Sequence, residues 1–299
     1  MQLEVDRILE TDKEEQTGRK PGGWQKHLKQ FWWAYIVLLI VGVALIAPLV
    51  WLLSSSLKDE GKIFTIPPVW IPNPVRWSNY RTVFERIPFA RFYWNSAVVT
   101  FFSTAGNVVS ASLVAFGFAR MRFPGRNALF IVLLATVMIP YHVTLIPTYV
   151  LFRELHWLDT WLPLIVPAWL GGSAFNIFLL RQFFLRLSVE LDDAARIDGA
   201  GPLRIYWDIV IPQSKPALGV VAIFSFLTSW NDFFAPFIYL NTTNKFTLPL
   251  GLQLFQSTNS TQWNLLMAAA VMTAIPCVLL YFVAQRYFIQ GVVFTGLKG

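Results

Sequence analysis

The chain has 299 residues, of which 55% are hydrophobic and only 14% are charged, and its formal net charge is +7. A soluble protein of this size carries roughly a quarter charged residues, so this composition predicts a polytopic membrane protein. The basic residues form no clustered stripe, which excludes a nucleic-acid surface. The single cysteine, Cys277, excludes a disulfide framework within the chain.

The N-terminal 30 residues are hydrophilic and hold six basic and six acidic side chains. Such a segment is too long and too acidic for a cleaved secretory signal. We therefore expect residues 1–30 to form a disordered cytoplasmic tail, and the first apolar segment to remain as an anchor.

Apolar stretches of about 20 residues are long enough to cross a bilayer as helices, and six stretches reach that length. They lie at residues 31–53, 92–118, 128–149, 160–180, 217–240 and 265–284. Lipid offers the backbone no hydrogen-bond partners, so each span must be helical. The predicted fold class is an all-α membrane protein with six transmembrane helices, in which Pro140, Pro147 and Pro276 kink their helices.

The distribution of Lys and Arg predicts the orientation of the chain. With both termini inside, 16 basic residues lie in cytoplasmic segments and eight lie outside. Three of them, Arg120, Arg122 and Arg126, share one tight inner loop. Because short cytoplasmic loops are enriched in Lys and Arg, an N-in, C-in arrangement is expected. This arrangement places the long loop 182–215 in the cytoplasm.

Residues 188–212 of this loop predict two short helices joined by a glycine elbow. Ser188 suits the N-cap of the first helix, and Gly199 suits its left-handed end. Pro202 suits the first position of a second helix. The small side chains of Ala194 and Ala195 allow another surface to approach the helix closely.

The second helix is predicted to carry an apolar face and to stop at Pro212; that face contains Leu203, Tyr206, Trp207 and Val210. The residues alone fit two interpretations equally. The elbow is either a docking device for a cytoplasmic partner or an amphipathic connector on the inner leaflet.

The spacing of the elbow residues resembles a known motif. Asp193-Ala194-Ala195, three residues, Gly199, nine residues and then residues 209–212 (Ile-Val-Ile-Pro) are similar to the EAA motif. That motif marks the membrane subunits of bacterial ABC importers. Asp193 replaces the usual Glu and Ile211 the usual Leu, and these changes preserve charge and apolarity.

Other segments resemble the carbohydrate branch of that family, which contains maltose-type and glycerol-3-phosphate-type permeases. Residues 229–234 (Ser-Trp-Asn-Asp-Phe-Phe) are similar to a Trp-Asn-acid-Phe stretch of this branch. The resemblance covers residues 30–299 and implies the type I ABC importer permease fold over residues 31–299. It also implies import of a sugar or oligosaccharide, or alternatively of glycerol-3-phosphate or another polar solute.

The resemblance further implies partners and a coupling site. The sequence has no Gly-x4-Gly-Lys-Ser/Thr loop, so ATP and Mg would be bound by two separate ATPase subunits and no cofactor by this chain. A second permease subunit, giving a heterodimer, and an extracytoplasmic solute-binding protein would complete the complex in the bacterial cytoplasmic (inner) membrane. The residues implied in ATPase coupling are Asp193, Ala194, Ala195, Gly199, Ile209, Ile211 and Pro212.

Polar residues near the fourth and fifth spans are candidates for the substrate path. Asp232 is the only acidic residue inside a predicted span, and such residues are expensive in lipid. The candidates are Trp230, Asn231, Asp232 and Asn176, with Ser173 and Gln182 as weaker ones. Alternatively, Asp232 is a polar clasp between helices or lies near the outer end of the fifth span, and Trp230 packs in the core.

Other classes of function fit the sequence less well. His27, His142 and His156 lie far apart and lack metal-ligand spacing, and no catalytic arrangement stands out, so neither an enzyme nor a metal site is expected. A secondary transporter would show inverted repeats and several intramembrane charges. A structural scaffold would not need the spaced motif.

Overall fold

The computed structural model describes residues 31–256 and 261–293. The predicted disordered tail at 1–30 and the last residues of the chain lie outside the described residues. The chain divides into two compact units, Met1–Ser54 and Ser55–Gly299. The described part of the first unit is most of one long apolar helix, and the second unit holds all of the features analysed below.

The described chain is a succession of helices. In chain order they are α1 (Trp32–Ser56), α2 (Ser78–Arg86), α3 (Phe89–Arg120), α4 (Arg126–Thr136), α5 (Tyr141–Glu154), α6 (Leu162–Trp169), α7 (Ala174–Phe184), α8 (Val189–Ile197), α9 (Pro202–Ile205), α10 (Ile211–Gln213), α11 (Lys215–Trp230), α12 (Phe234–Tyr239), α13 (Leu248–Leu252) and α14 (Trp263–Val293). A π-helical turn at Tyr206–Val210 joins α9 to α10.

The predicted all-α membrane fold is confirmed. Four helical segments are long and apolar enough to span a bilayer: α1, α3, α6 with α7, and the Trp263–Gln285 part of α14. Up to six spans result if two bent helix pairs each count as one. The first of these pairs is α4 with α5, and the second is the Pro202–Gln213 segment with α11.

The third predicted span is broken where a kink was expected. Helix α4 ends at Thr136, α5 begins at Tyr141, and the two meet at 96°. Pro140, which precedes α5, has an extended ψ of 136° and no N–H to donate. Because the residue before a proline also avoids the helical region, the chain leaves the helix before Pro140 and restarts after it.

The fourth and fifth predicted spans are also interrupted. Between α6 and α7, Gly171 and Gly172 have φ angles of 123° and 63°, which suit glycine and end the helix. In the fifth span, α11 stops at Trp230 and α12 starts at Phe234. A proline clashes with the carbonyl four residues before it, so Pro236 disfavours helix through Asp232. Asp232 therefore lies in a break and not inside a continuous helix.

Helix α3 is the centre of the second unit, where it packs against α6, α7 and α11. Ala111, Ala115 and Ala119 are buried on one face of this helix. Small residues at such spacing let neighbouring helices approach closely, which is the main source of packing energy between helices in lipid. One buried cluster surrounds these alanines, and a second one lies around Phe92, Trp230 and Leu248 and their neighbours.

The connection between α5 and α6 is tied to the 240–248 loop through Asp159. Its carboxylate accepts hydrogen bonds from Thr242 Oγ1 at 2.7 Å and from Lys245 Nζ at 2.8 Å. Burial alone would raise the pKa of this carboxyl, but the bonds from Lys245 and Thr242 outweigh it and hold the pKa well below its usual range. The ion pair is therefore present at neutral pH and is lost only under strongly acidic conditions.

We predict that Gly106→Ala destabilises the protein whereas Gly117→Ala, on the same helix, does not. A methyl group at Gly106 would collide with the indole ring of Trp169, whose Nε1 donates to Phe102 O at 3.1 Å. At Gly117 the corresponding position has no heavy atom within 4 Å apart from the neighbouring backbone of its own helix. Overpacking costs about 1–3 kcal/mol, so the Gly106 variant should unfold several degrees lower in a thermal shift assay in detergent. Equal melting temperatures for the two variants would contradict this packing.

Candidate functional site

A polar cavity of about 370 Å³ opens between α3, α6, α7 and α11. Its lining combines hydroxyl, amide and carboxylate groups with a few apolar side chains. The lining residues are Val99, Ser103, Asn107, Leu164, Ser173, Phe175, Asn176, Phe224, Ser225, Thr228, Ser229, Asp232, Pro236 and Thr247.

A buried amide network holds three helices together at this cavity. Asn176 of α7 is only 5% exposed. Its Nδ2 donates to Asn107 Oδ1 of α3 at 3.0 Å and lies 3.3 Å from Ser225 Oγ of α11. These bonds fix the orientation of the amide groups because a buried polar group is costly when unpaired.

The two helix breaks described above both contribute to the cavity. Ser173 lies at the break between α6 and α7, and Asp232 lies at the break between α11 and α12. Ser110 Oγ donates to Ala168 O at 2.7 Å and so satisfies a carbonyl at the end of α6. Asp232 Oδ1 accepts from Ala235 N at 3.1 Å and caps the start of α12. Irregular backbone at membrane depth is tolerated where protein or a water-filled cavity satisfies it.

The described lining of the cavity contains one acidic residue and no basic residue. Among the described residues that line it, Asp232 is the only ionisable one, and no lysine, arginine or histidine contributes. The other polar groups are serines, threonines and asparagines, which donate and accept hydrogen bonds without net charge. Chemically, the cavity suits a ligand that is rich in hydroxyl groups.

Some of the path residues predicted from the sequence line the cavity, and others do not. Asn176, Asp232 and Ser173 meet at the cavity. Asn231 is exposed, does not line the cavity, and donates to Leu227 O at 2.8 Å. Trp230 is 2% exposed, and its indole donates to Thr273 O at 3.1 Å. The structure thus places Trp230 in the core packing.

Sequence reasoning missed several lining residues of the cavity. Ser103 and Asn107 are four residues apart on α3. On the fifth predicted span, Ser225, Thr228, Ser229 and Asp232 follow the i, i+3, i+4, i+7 spacing of one helix face. This spacing was the available signal, because a polar stripe on an apolar helix must face protein or water.

The glycine elbow is confirmed. Ser188 caps α8 by accepting from Glu190 N at 3.2 Å. The chain turns at Gly199, whose φ is 79°, and α9 begins at Pro202. The sequence therefore encodes the turn through one cap, one left-handed glycine and one N-terminal proline.

The elbow presents a mixed surface to its surroundings. Asp193 is exposed and pairs with Arg196 at 2.8 Å, and Ala194 beside it is also exposed. Ile209 and Ile211 are half-buried, and Pro212 is exposed. Large apolar side chains project from the same helices, namely Leu191, Ile197, Leu203 and Trp207.

Two expectations about the second elbow helix are wrong. Its predicted apolar face is divided, since Tyr206 and Val210 are buried while Leu203 and Trp207 are exposed. Pro212 is not the last helical residue, since the segment that begins at Pro202 continues through the π-helical turn to Gln213. The chain changes direction at Ser214, and the Pro202–Gln213 segment and α11 meet there at 82°.

We predict that a cysteine at Ser103 is accessible to a small hydrophilic thiol reagent and that one at Ser112 is not. Ser103 lines the cavity, whereas Ser112 on the same helix is 1% exposed. In a Cys277→Ala background, Ser103→Cys should react roughly tenfold faster than Ser112→Cys, because a buried thiol is inert. Mass spectrometry of the labelled protein measures this rate. Slow labelling of Ser103→Cys, at the rate of Ser112→Cys, would contradict a water-accessible cavity.

Comparison with known proteins identifies relatives across most of the chain. Residues 89–293 match the family described as "Binding-protein-dependent transport system inner membrane component". The sn-glycerol-3-phosphate transport system permease protein UgpE of Yersinia enterocolitica is 36% identical over 266 residues, covering 86% of this chain and 94% of the relative. The protein of the same description from Pectobacterium atrosepticum is 34% identical over the same coverage.

Solved structures give a consistent result. The chain is similar to a chain of a bacterial ABC transporter involved in the import of the acidic polysaccharide alginate. The TM-score is 0.77 at 25% identity, covering 88% of this chain and 98% of that one. A second match, in a bacterial alginate ABC transporter in complex with an alginate pentasaccharide-bound periplasmic protein, has a TM-score of 0.66 at 16% identity and covers 88% and 96%. This second match supports the fold alone.

Proposed function

The chain belongs to the family of inner membrane components of binding-protein-dependent transport systems, and we infer that its polar cavity forms part of the pathway for a carbohydrate. The chain is a permease subunit of an ABC importer in the bacterial inner membrane, as the EAA-like spacing predicted. Its named relatives are transport permeases, which supports a role without catalysis of its own.

The elbow is proposed as the docking surface for an ATPase subunit. Its exposed Asp193 can pair with a basic side chain, and exposed Ala194 permits close approach. The exposed apolar side chains of Leu203 and Trp207 are suited to burial against another protein. ATP and Mg would be held by that partner, because this sequence has no phosphate-binding Gly-x4-Gly-Lys-Ser/Thr loop.

The remaining partners follow from the family. A second permease subunit would complete the pathway, and an extracytoplasmic solute-binding protein would deliver the cargo. The family description, a component of binding-protein-dependent transport systems, supports this arrangement. Neither a secondary transporter nor a structural scaffold would need such a delivery protein.

The charge of the cavity carries the inference about the cargo. Sugar hydroxyls can donate to Asp232 and to amide oxygens, and can accept from serine and threonine hydroxyls. A phosphate group would meet the Asp232 carboxylate with no basic side chain among the described lining residues to offset it. This favours an uncharged sugar or oligosaccharide. Glycerol-3-phosphate is the second candidate because the relatives named UgpE are permeases for it.

We predict that the complete importer in proteoliposomes takes up an uncharged sugar in an ATP-dependent manner and that Asp232→Asn reduces this uptake roughly tenfold. Each hydrogen bond to a charged group contributes about 1.5–3 kcal/mol, and the substitution removes the charge while retaining the size. Asn231→Gln, next to it but outside the cavity, is the control, because it retains the amide donor. The sugar is first identified by screening ligands against the purified solute-binding protein. Uptake of glycerol-3-phosphate in preference to every uncharged sugar would contradict the cargo assignment.

We also predict that Gly199→Val uncouples ATP hydrolysis from uptake whereas Gly201→Val does not. Gly199 has a φ of 79°, and Gly201 is extended with a φ of −74°. Beyond the adjacent residues of the chain, no heavy atom lies within 4 Å of a Cβ atom at either position, so the two substitutions differ in backbone strain and not in crowding. The left-handed conformation costs about 1–2 kcal/mol for a residue with a Cβ atom, more for a branched one. Normal uptake per ATP hydrolysed in an inserted, assembled Gly199→Val complex would contradict the coupling role of the elbow.

A further inference from the structure

The cytoplasmic end of α3 carries a stripe of three side chains that face the elbow. Ser112, Phe116 and Arg120 are four residues apart, so they lie on one side of the helix. None of them belongs to the EAA-like motif. The stripe contacts both helices of the elbow, although α3 is not joined to either of them along the chain.

Ser112 and Phe116 of the stripe contact the second elbow helix through Tyr206, the first residue of its π-helical turn. The hydroxyls of Ser112 and Tyr206 share a hydrogen bond of 2.7 Å. The ring of Phe116 packs edge to face on the Tyr206 ring, with centroids 5.3 Å apart. Tyr206 is 1% exposed, so this contact lies in the interior. The elbow is therefore attached to α3 at the turn between Ser112 and Phe116.

Arg120, the last residue of the stripe, contacts the first elbow helix through an ion pair with Asp192. Arg120 Nη1 lies 3.3 Å from Asp192 Oδ2, and the two side chains are 5% and 2% exposed. Arg120 Nη2 also donates to Leu187 O at 2.8 Å, in the segment that leads into α8. A buried charge without its partner is strongly unfavourable, so the two residues must remain together as the elbow moves.

Helix α3 also reaches the polar cavity. Ser103 and Asn107 of this helix line the cavity, and Arg120 lies thirteen residues beyond Asn107 on the same uninterrupted helix. At 1.5 Å per residue, the distance along the helix axis is roughly 20 Å. A rigid helix of this length transmits a displacement at one end to the other.

We propose that Arg120 is a positioning residue for transport, which with Asp192 fastens the elbow to α3 so that movement of the elbow shifts the cavity wall. This role rests on the proposed function only in that the elbow receives the ATPase. Helices α7 and α11 are connected to the elbow through the chain, and the Arg120–Asp192 pair adds α3 to the elements that move with it. Without the pair, only the Tyr206 contacts and the packing against neighbouring helices would link α3 to the elbow, and α3 would follow the elbow less closely.

The experiment measures ATP hydrolysis and solute uptake in the complete importer reconstituted with its cognate subunits. Arg120→Gln and Asp192→Asn are expected to raise the ATP consumed per solute roughly fivefold, because each leaves a buried partner uncompensated. The control is Arg122→Gln, which removes the same charge from an exposed position two residues away. The exchange Arg120→Asp with Asp192→Arg is expected to restore part of the wild-type ratio.

The outcomes separate this proposal from the proposed function. If the wild-type complex shows no ATP-driven uptake, the proposed function fails. If the wild type transports and assembled Arg120→Gln keeps the wild-type ratio, the positioning role alone is overturned. Should Arg120→Gln fail to assemble, Asp192→Asn replaces it, since it keeps the arginine and removes only the charge of its partner. A wild-type ratio in assembled Asp192→Asn would then overturn the proposal, and a raised ratio would support it.

Discussion

The constraint on which this structure depends is the need to pair every backbone polar group at membrane depth. Helices meet this need without help, so each interruption requires a partner from elsewhere in the protein. The break after α6 has Ser110 as a donor to Ala168 O, and the break after α11 has the Asp232 carboxylate as an acceptor for Ala235 N. The same polar groups that make the breaks tolerable also give the cavity its hydrophilic lining.

Helix α3 combines three kinds of surface within one continuous element. Small residues such as Ala111 and Ala115 allow neighbouring helices to pack closely, and polar ones such as Asn107 line the cavity. At its end, Phe116 and Arg120 contact the elbow. The helix can serve these purposes together because its stripes of side chains point in different directions along one rigid axis.

The sequence predicted the long apolar helices and the elbow because length, periodicity and cap residues are local signals. It did not predict the break at Asp232, although Pro236 four residues later gives the physical reason. The path residues were predicted only in part. Trp230 was a path candidate with core packing as the alternative, and its ring packs on Tyr93 of α3 while its indole donates to Thr273 O of α14. Such packing depends on tertiary contacts, and so does the ion pair of Arg120 with Asp192, which lie 72 positions apart by their numbering.

The exposed apolar side chains of the elbow have a consequence for biogenesis. Ile197 is 87% exposed, and Leu203 and Trp207 are more than half exposed. A newly inserted subunit in which no partner covers these side chains would therefore expose an apolar patch to the cytosol. Such an orphan subunit is a natural substrate for chaperones and membrane proteases. Degradation of subunits left uncovered in this way would keep the components of the complex in matched amounts.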